Sequence, residues 1–479
     1  MREVMLGIDV GTTAVKVAAF GLDGEPLATH ATAYPTHRPR PGWAEQDAGD
    51  WWRGVREGLD AVARGHQVRA AGIVSQVNTH VLVDEHLNPL TSAIIWQDQR
   101  CAAIARELDG RFTEADKLRI WGAPVVLDAS FVGARAEWFA RTDPDAWRAA
   151  RWILSPKDFV AAKLTGRVAT DPLSGVRVAG ADGYIPEAVG VTNGLNDKLP
   201  EIRPPEAVLG HVGDLGADLV VGTMDAFGAV FGAATTRPGR GMISVGTSLV
   251  VAGASDVHVP TQGVVTFPPR NDVYVHAGPT QAAGDAVRWW SRVSELSIPE
   301  VFADAAEGTP GVIFTPYLSG ERAPIWDAEA RASFLNVSSA TTRADLSRAV
   351  LEGVAMSGRH VLDAVEKACD QPIPSLALCG GGARSDLWAQ IFADVLRRPI
   401  QQLKVHDSAA LGAALLGAVG AGLFPDAETA AEATVAVRRT VEPGPDPARY
   451  EAYTQVHDAL RDIHRWLIQQ NPQFWRTED

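Results

Sequence analysis

The stretch Met5-Leu6-Gly7-Ile8-Asp9-Val10-Gly11-Thr12-Thr13-Ala14-Val15-Lys16-Val17 decides how the 479-residue chain reads. Val4 to Ile8 and Ala14 to Phe20 are apolar, β-prone runs, and Asp9 to Thr13 between them has the composition of a turn. The chain should therefore open on a β-hairpin, with a third strand near Pro26 to Ala28 after the Asp23-Gly24 turn signal. The pattern returns downstream, where Val10-Gly11-Thr12-Thr13 becomes Val245-Gly246-Thr247-Ser248. Gly246 lies 235 residues after Gly11, close to half the chain. Each copy follows a short apolar strand, Met5 to Ile8 or Met242 to Val245, and precedes another, Val15 to Phe20 or Leu249 to Ala252. A half-length repeat in matching context predicts two domains of one architecture facing each other, 1–236 and 237–479.

Asp47 or Asp50 can cap a helix whose Trp51, Val55, Leu59 and Val62 share one face, and Gly65 is placed to end it. Ala70 to Val77 reads as a buried strand. Strands continue to alternate with helices, the pattern of α/β layers. Gly210 to Gly222 and Arg237 to Gly241 are turn-rich and suit a domain junction. Pro425 to Pro447 reads as a loose stretch. A closing helix is expected from about 447 to 468, with Tyr450, Tyr453, Val456, Leu460 and Ile463 along one face.

Composition excludes several classes. Lys and Arg number 44 against 58 Asp and Glu, a formal charge of −14. That balance argues against general nucleic-acid or anionic-membrane binding, while leaving room for a local basic pocket. Three cysteines, Cys101, Cys369 and Cys379, make no disulfide framework and no zinc pattern, which fits a reducing cytoplasm. The opening residues do not read as a signal peptide. No run of about 18 apolar residues could span a bilayer.

Chemistry concentrates at five places. In the two Gly-Thr turns, glycine lets backbone approach an anion, and adjacent amides and hydroxyls can donate to phosphate oxygens. Asp9 could hold Mg²⁺ through water, and Lys16 adds positive charge. The same hydroxyls could instead cap their own tight turns. Leu376 to Cys379 is an apolar strand that runs into Gly380-Gly381-Gly382-Ala383-Arg384-Ser385. Bare backbone there could receive something flat or anionic, or serve as a flexible turn. Ser385 should cap the next helix, with Leu387, Ile391 and Val395 as its face. Ser408-Ala409-Ala410-Leu411-Gly412-Ala413-Ala414 has small residues on every face, which suits close helix packing first and a nucleotide wall second. Asp225 ends the apolar run Val220-Val221-Gly222-Thr223-Met224, where a lone carboxylate is either a helix cap or an oriented general base.

Together these residues resemble the FGGY carbohydrate kinases of the actin/Hsp70/sugar-kinase superfamily, with xylulokinases as the most similar branch. Gly7 to Thr13 is similar to the family's first phosphate loop and Ser244 to Ser248 to its second. Gly380 to Ser385 is similar to the adenosine-site turn, Ala410 to Ala414 to the helix beside it, and Gly222 to Ala226 to the segment with the catalytic aspartate. Trp43 to Asp47, Trp96 to Arg100, Pro156 to Phe159, Leu164 to Gly166 and Pro316 to Arg322 follow in family order. The resemblance implies two ribonuclease-H-like α/β domains around an interdomain cleft, sugar mainly on the first and ATP with Mg²⁺ mainly on the second.

It further implies ATP-dependent phosphorylation of a small sugar, with a ketopentose such as D-xylulose first. Another short ketose, polyol or sugar acid is the alternative acceptor, and a catalytically silent sugar or nucleotide sensor is the alternative class. Asp225 is expected as general base and Asp9 at the metal. Gly11, Thr12, Thr13, Lys16, Gly246, Thr247 and Ser248 are expected at the phosphates. Gly380, Gly381, Gly382, Ala383 and Ser385 are expected at the nucleoside. Gln76, Val77, Asn78, Trp96, Asp98 and Asp225 are expected at the sugar. The oligomeric state stays open between monomer and homodimer. Three departures stand out: Val77-Asn78 where xylulokinases carry Met-His, Arg135 where the family carries Lys, and Asn336 where it carries Gly.

Overall fold

The computed structural model describes all residues except 123, 181, 182, 328, 329, 446–452, 454, 456–458, 461, 462, 464, 465 and 467–479. The chain divides into two compact units, 1–234 with 407–435, and 235–406 with 436–479. The expected boundary near 236 thus needs one correction, because 407–435 belongs with the first unit and not the second. The physical reason is the close packing of helix Ser408–Gly420 on first-unit strands and on helix Asp225–Gly232. A Cβ on Gly7 would lie 1.8 Å from the Ala410 carbonyl oxygen, and one on Gly412 1.9 Å from that of Gly228. Only bare backbone allows this approach.

The first unit is built on a seven-stranded sheet. Strands Pro26–Ala33, Ala14–Gly21 and Arg2–Val10 form an antiparallel meander, and His66–Ser75 then pairs parallel with Arg2–Val10. Ala217–Val220 adds to His66–Ser75 in parallel and Val208–Val212 closes the edge. The residues 210–222 therefore form a sheet-edge hairpin, not the expected junction. Helix Ala48–Val62 takes its cap from Asp47, whose carboxylate accepts from the Gly49 amide at 2.8 Å. Trp51, Val55, Leu59 and Val62 are buried on the sheet, as their spacing predicts. The following strand starts at His66, four residues before the expected Ala70.

The second unit repeats the plan. Tyr274–Pro279, Leu249–Ser255 and Gly241–Val245 are the antiparallel meander. Leu376–Cys379 and Ile400–Leu403 follow in parallel, and Val437–Val441 closes the edge. Leaving aside the short strand Thr223–Met224 and the edge strand Val208–Val212 in the first unit, and the edge strands Val265–Thr266 and Val437–Val441 in the second, the five remaining strands of each sheet run three-two-one-four-five, with the Gly-Thr turn joining the first two. The duplication read from four residues extends through both sheets. Helix Asp386–Leu396 is capped by Ser385, but Trp388, Ile391, Phe392 and Leu396 are its buried face, whereas Leu387 and Val395 are only partly covered. The stretch read as loose before Pro447 contains helix Ala427–Thr434 and strand Val437–Val441. The closing helix expected over 447–468 lies mostly outside the described residues, although Tyr453 is buried with its hydroxyl 2.9 Å from that of Tyr317.

Candidate functional site

In the first unit the turn after Arg2–Val10 is held from behind. The Gln46 side-chain amide donates to the Thr12 carbonyl at 2.7 Å, and the Tyr34 hydroxyl donates to the Gly11 carbonyl. The Gln76 amide group donates to Gln46 Oε1 at 2.8 Å and to the Gly11 carbonyl at 3.4 Å. Trp51 Nε1 adds a donor to Gln46 Oε1 at 3.1 Å. Carbonyls that would repel an anion are thereby occupied by protein donors, while Thr13 is exposed. Trp96 Nε1 donates to the Thr12 hydroxyl at 3.0 Å. Gly11 closes the turn through its amide to the Ala14 carbonyl at 3.1 Å.

Beside this turn the fold gathers carboxylates from distant parts of the sequence. Asp9 ends strand Arg2–Val10, Asp225 opens helix Asp225–Gly232, and Asp407 precedes helix Ser408–Gly420. Asp9 is buried, and its Oδ1 has no hydrogen-bond partner. Burial first, then Asp225 and Asp407, push its carboxyl up to about 8, against the opposing pull of Lys16. Lys16 Nζ lies 3.0 Å from Asp407 Oδ1, so the lysine is anchored by a residue that sequence reading did not single out. Asp407 has no local signature. It reaches the turn only because its helix packs on the first sheet.

Asp225 is half-buried, and burial raises its carboxyl to about 6. Its Oδ1 accepts from the Ala226 amide at 2.7 Å, which orients the group at the helix start. The arrangement can accept a proton at Asp225 and can bind a cation at Asp9. An unpartnered buried carboxylate oxygen among repelling carboxylates is a donor set that suits Mg²⁺. Among the described residues no three His, Cys, Asp or Glu side chains form a cage. Water and phosphate oxygens would complete the shell, as is usual for this ion.

The expected sugar-reading residues separate into two groups. Val77, Asn78 and Trp96 are partly exposed. Gln76 and Asp98 are not: they are 1% and 0% exposed. Gln76 is spent on Gln46, Gly11 and the Thr79 hydroxyl. Asp98 accepts from the Ala44 amide at 2.6 Å and from the Arg100 guanidinium at 2.7 to 3.0 Å. Arg100 in turn lies over the Trp43 ring, 3.5 Å from its centroid. Direct sugar contact by these two is corrected to a bracing role, because their polar atoms are enclosed and already paired.

In the second unit the Gly246 turn joins Gly241–Val245 to Leu249–Ser255. The Thr247 carbonyl accepts from the amides of Ala283 and Asp285 at 2.9 and 3.1 Å. A Cβ on Gly246 would have nothing nearer than 3.8 Å, so this glycine faces open space. The three glycines after Cys379 differ from one another. Gly380 has φ of 82° and its Cβ would meet the Val245 carbonyl oxygen at 2.6 Å, while a Cβ on Gly382 would strike Val245 at 2.5 Å. Both are required by packing. Gly381 has nothing within 4 Å and leaves the open backbone. Ala383 is buried, and the Ser385 hydroxyl accepts from the Trp388 amide at 3.1 Å, so both help to shape the turn.

Residues 4–220 match the N-terminal domain, and residues 241–421 the C-terminal domain, of the FGGY family of carbohydrate kinases. The chain is 29% identical over 493 residues to a xylulose kinase of Staphylococcus epidermidis, covering 96% of this chain and 97% of that protein. It is 28% identical over 499 residues to a glycerol kinase of Thermococcus gammatolerans, covering 97% and 99%. The crystal structure of a xyloylose kinase from Brucella ovis superposes with a TM-score of 0.85 at 28% identity, over 98% of this chain and 100% of that one. With its duplicated sheets, its paired Gly-Thr turns and family matches across both halves, the chain belongs to the FGGY family of carbohydrate kinases.

Proposed function

We propose that the protein transfers the γ-phosphoryl group of ATP to a hydroxyl of a short polyhydroxylated acceptor, a ketopentose such as D-xylulose first among them. One observation carries the chemical reading: Asp225, half-buried and oriented by the Ala226 amide, lies among the carboxylates around the unpartnered Oδ1 of Asp9. Asp225 takes the proton of the attacking hydroxyl. The hydroxyl oxygen forms a bond to phosphorus as the bond from phosphorus to the bridging oxygen breaks, and ADP leaves with that oxygen. Asp9 holds Mg²⁺, which when bound neutralises phosphate charge. Gly11, Thr12, Thr13 and Lys16 serve the phosphates from the first unit, and Gly246, Thr247 and Ser248 from the second. Gly381 offers its backbone to the nucleoside. Val77, Asn78 and Trp96 face the acceptor.

The xylulose kinase relatives favour D-xylulose, while the glycerol kinase relative keeps short polyols in view. Val77 offers a small apolar wall where an imidazole-bearing pair is usual, so the acceptor pocket is reshaped. The three cysteines are all buried, which fits a cytoplasmic setting. Coupled ADP-release assays across ketopentoses, tetritols, pentitols, glycerol and sugar acids test the reading. Acceptor-dependent ADP release that is highest with one short ketose or polyol supports it. ATP binding without release for any acceptor would favour the silent-sensor alternative.

A further inference from the structure

Against the residues that precede the Asp225 helix lies a charged cluster that the mechanism above does not use. Lys157 is 0% exposed, and its Nζ lies 2.6 Å from Asp158 Oδ1 and 3.1 Å from Asp171 Oδ1. Asp171 is equally enclosed. Its Oδ2 accepts from the Thr223 hydroxyl at 2.7 Å and from the amides of Leu173 and Ser174 at 3.1 and 3.2 Å. Lys157 Nζ also lies 3.5 Å from the Val221 carbonyl oxygen. A buried ion pair is a poor source of stability, because desolvation offsets most of its attraction, so its location calls for another explanation.

The cluster grips the residues that lead into Asp225. Lys157 holds the Val221 carbonyl, and Asp171 holds the Thr223 hydroxyl. Gly222 between them has φ of 74° and passes so near Ile73 that a Cβ would stand 1.8 Å from its carbonyl oxygen. Thr223 and Met224 pair with Val74 and Ser75, and Asp225 begins the helix directly afterwards. Backbone holds this short segment through those two ladder pairs and through the amides of Val221 and Gly222, which donate to the Ala207 and Pro205 carbonyls at 3.0 and 2.8 Å, while the Thr223 hydroxyl ties it to Asp171. A reacting carboxylate must be held within about 0.5 Å of its productive place, and a shift of about 1 Å can cost roughly a hundredfold in rate.

We infer that Lys157, Asp171 and Thr223 are positioning residues for phosphoryl transfer, fixing Asp225 through the Thr223 hydroxyl and the Val221 carbonyl. The inference rests on the reading of Asp225 as general base. Lys157→Met strands a buried carboxylate and threatens folding, so the decisive variant is Thr223→Val, which keeps the β-branched shape and removes only the hydroxyl. Thr223→Val should lower kcat about tenfold with the KM values for ATP and acceptor unchanged, and Thr223→Ser should restore it. A purely structural hydroxyl would lower Tm and leave kcat alone. If Asp225→Ala is inactive while Thr223→Val keeps wild-type kcat, the positioning role is overturned and the base survives. If Asp225→Ala turns over normally, the base reading falls and takes the positioning role with it.

Discussion

Arg135 donates a hydrogen bond of 2.9 Å to Nδ1 of His80. The same guanidinium donates to the carbonyls of Asn78, Ile94 and Ile95, the last two at 2.9 and 2.7 Å, and the residue is 0% exposed. Enclosure and the adjacent cation hold His80 well below its ordinary range, so its ring is neutral and free to accept. One side chain thus ties the loop that carries Val77 and Asn78 to the strand end that carries Trp96. Asn78 itself sits at φ of 52°, a conformation that asparagine tolerates better than most residues. A lysine at 135 could not span these acceptors with a planar fork.

Arg135→Lys should therefore loosen the acceptor loop without touching the nucleotide. The expected result is a rise in acceptor KM of about three- to tenfold, with KM for ATP within about twofold of wild type. Equal changes in both constants would mean that the loop does not face the acceptor.

Asp9 illustrates function held at the expense of stability. A carboxyl whose folded-state value is raised costs stability once it ionises, beginning above the ordinary 3.8 and fully present above about 8. Asp9→Asn relieves repulsion from Asp225 and Asp407. At pH 7.5, without ligand, it should raise Tm by about 1–3 °C while abolishing turnover. A lower Tm would show that Asp9 stabilises the free protein.

The pH profile reports Asp225. Burial raises its carboxyl to about 6, and the base works only when ionised. At saturating Mg²⁺, kcat/KM should fall about tenfold per unit as pH drops below about 6 and level off above it. A profile flat down to pH 4 would place no essential base in that range.

The glycines of the second unit separate fold from binding. Gly246→Val meets open space, so Tm should hold while KM for ATP rises about tenfold or more as donors to phosphate are masked. Gly380→Ala forces a Cβ into the Val245 carbonyl at positive φ and should cost about 1–3 kcal/mol of stability, read in urea unfolding. The reverse pattern would exchange their roles.

Local chemistry made the opening hairpin, the Asp47-capped helix and the half-length repeat legible, because turn composition and spacing act over a few residues. The strand order follows from the repeat once a first copy is placed. What stayed hidden depends on tertiary packing. Asp407 meets Lys16 across 391 residues of sequence because bare glycine backbone admits helix Ser408–Gly420 to the first sheet. Gln76 and Asp98 have the residue types of sugar readers, yet burial turned both into braces. The triple glycine looked uniform, but neighbouring Val245 makes two of its members structural. Asn336, which stands in place of glycine, occupies φ of 63° and donates to the Gly311 carbonyl at 2.9 Å, so the backbone demand is met by a different residue.

The most direct measurement is single-turnover phosphoryl transfer by Asp225→Ala, with ATP affinity measured separately on the same protein. A general base at Asp225 predicts a loss of about 10²- to 10⁴-fold in the transfer rate with ATP affinity nearly unchanged. Near-wild-type transfer by a correctly folded variant would contradict it.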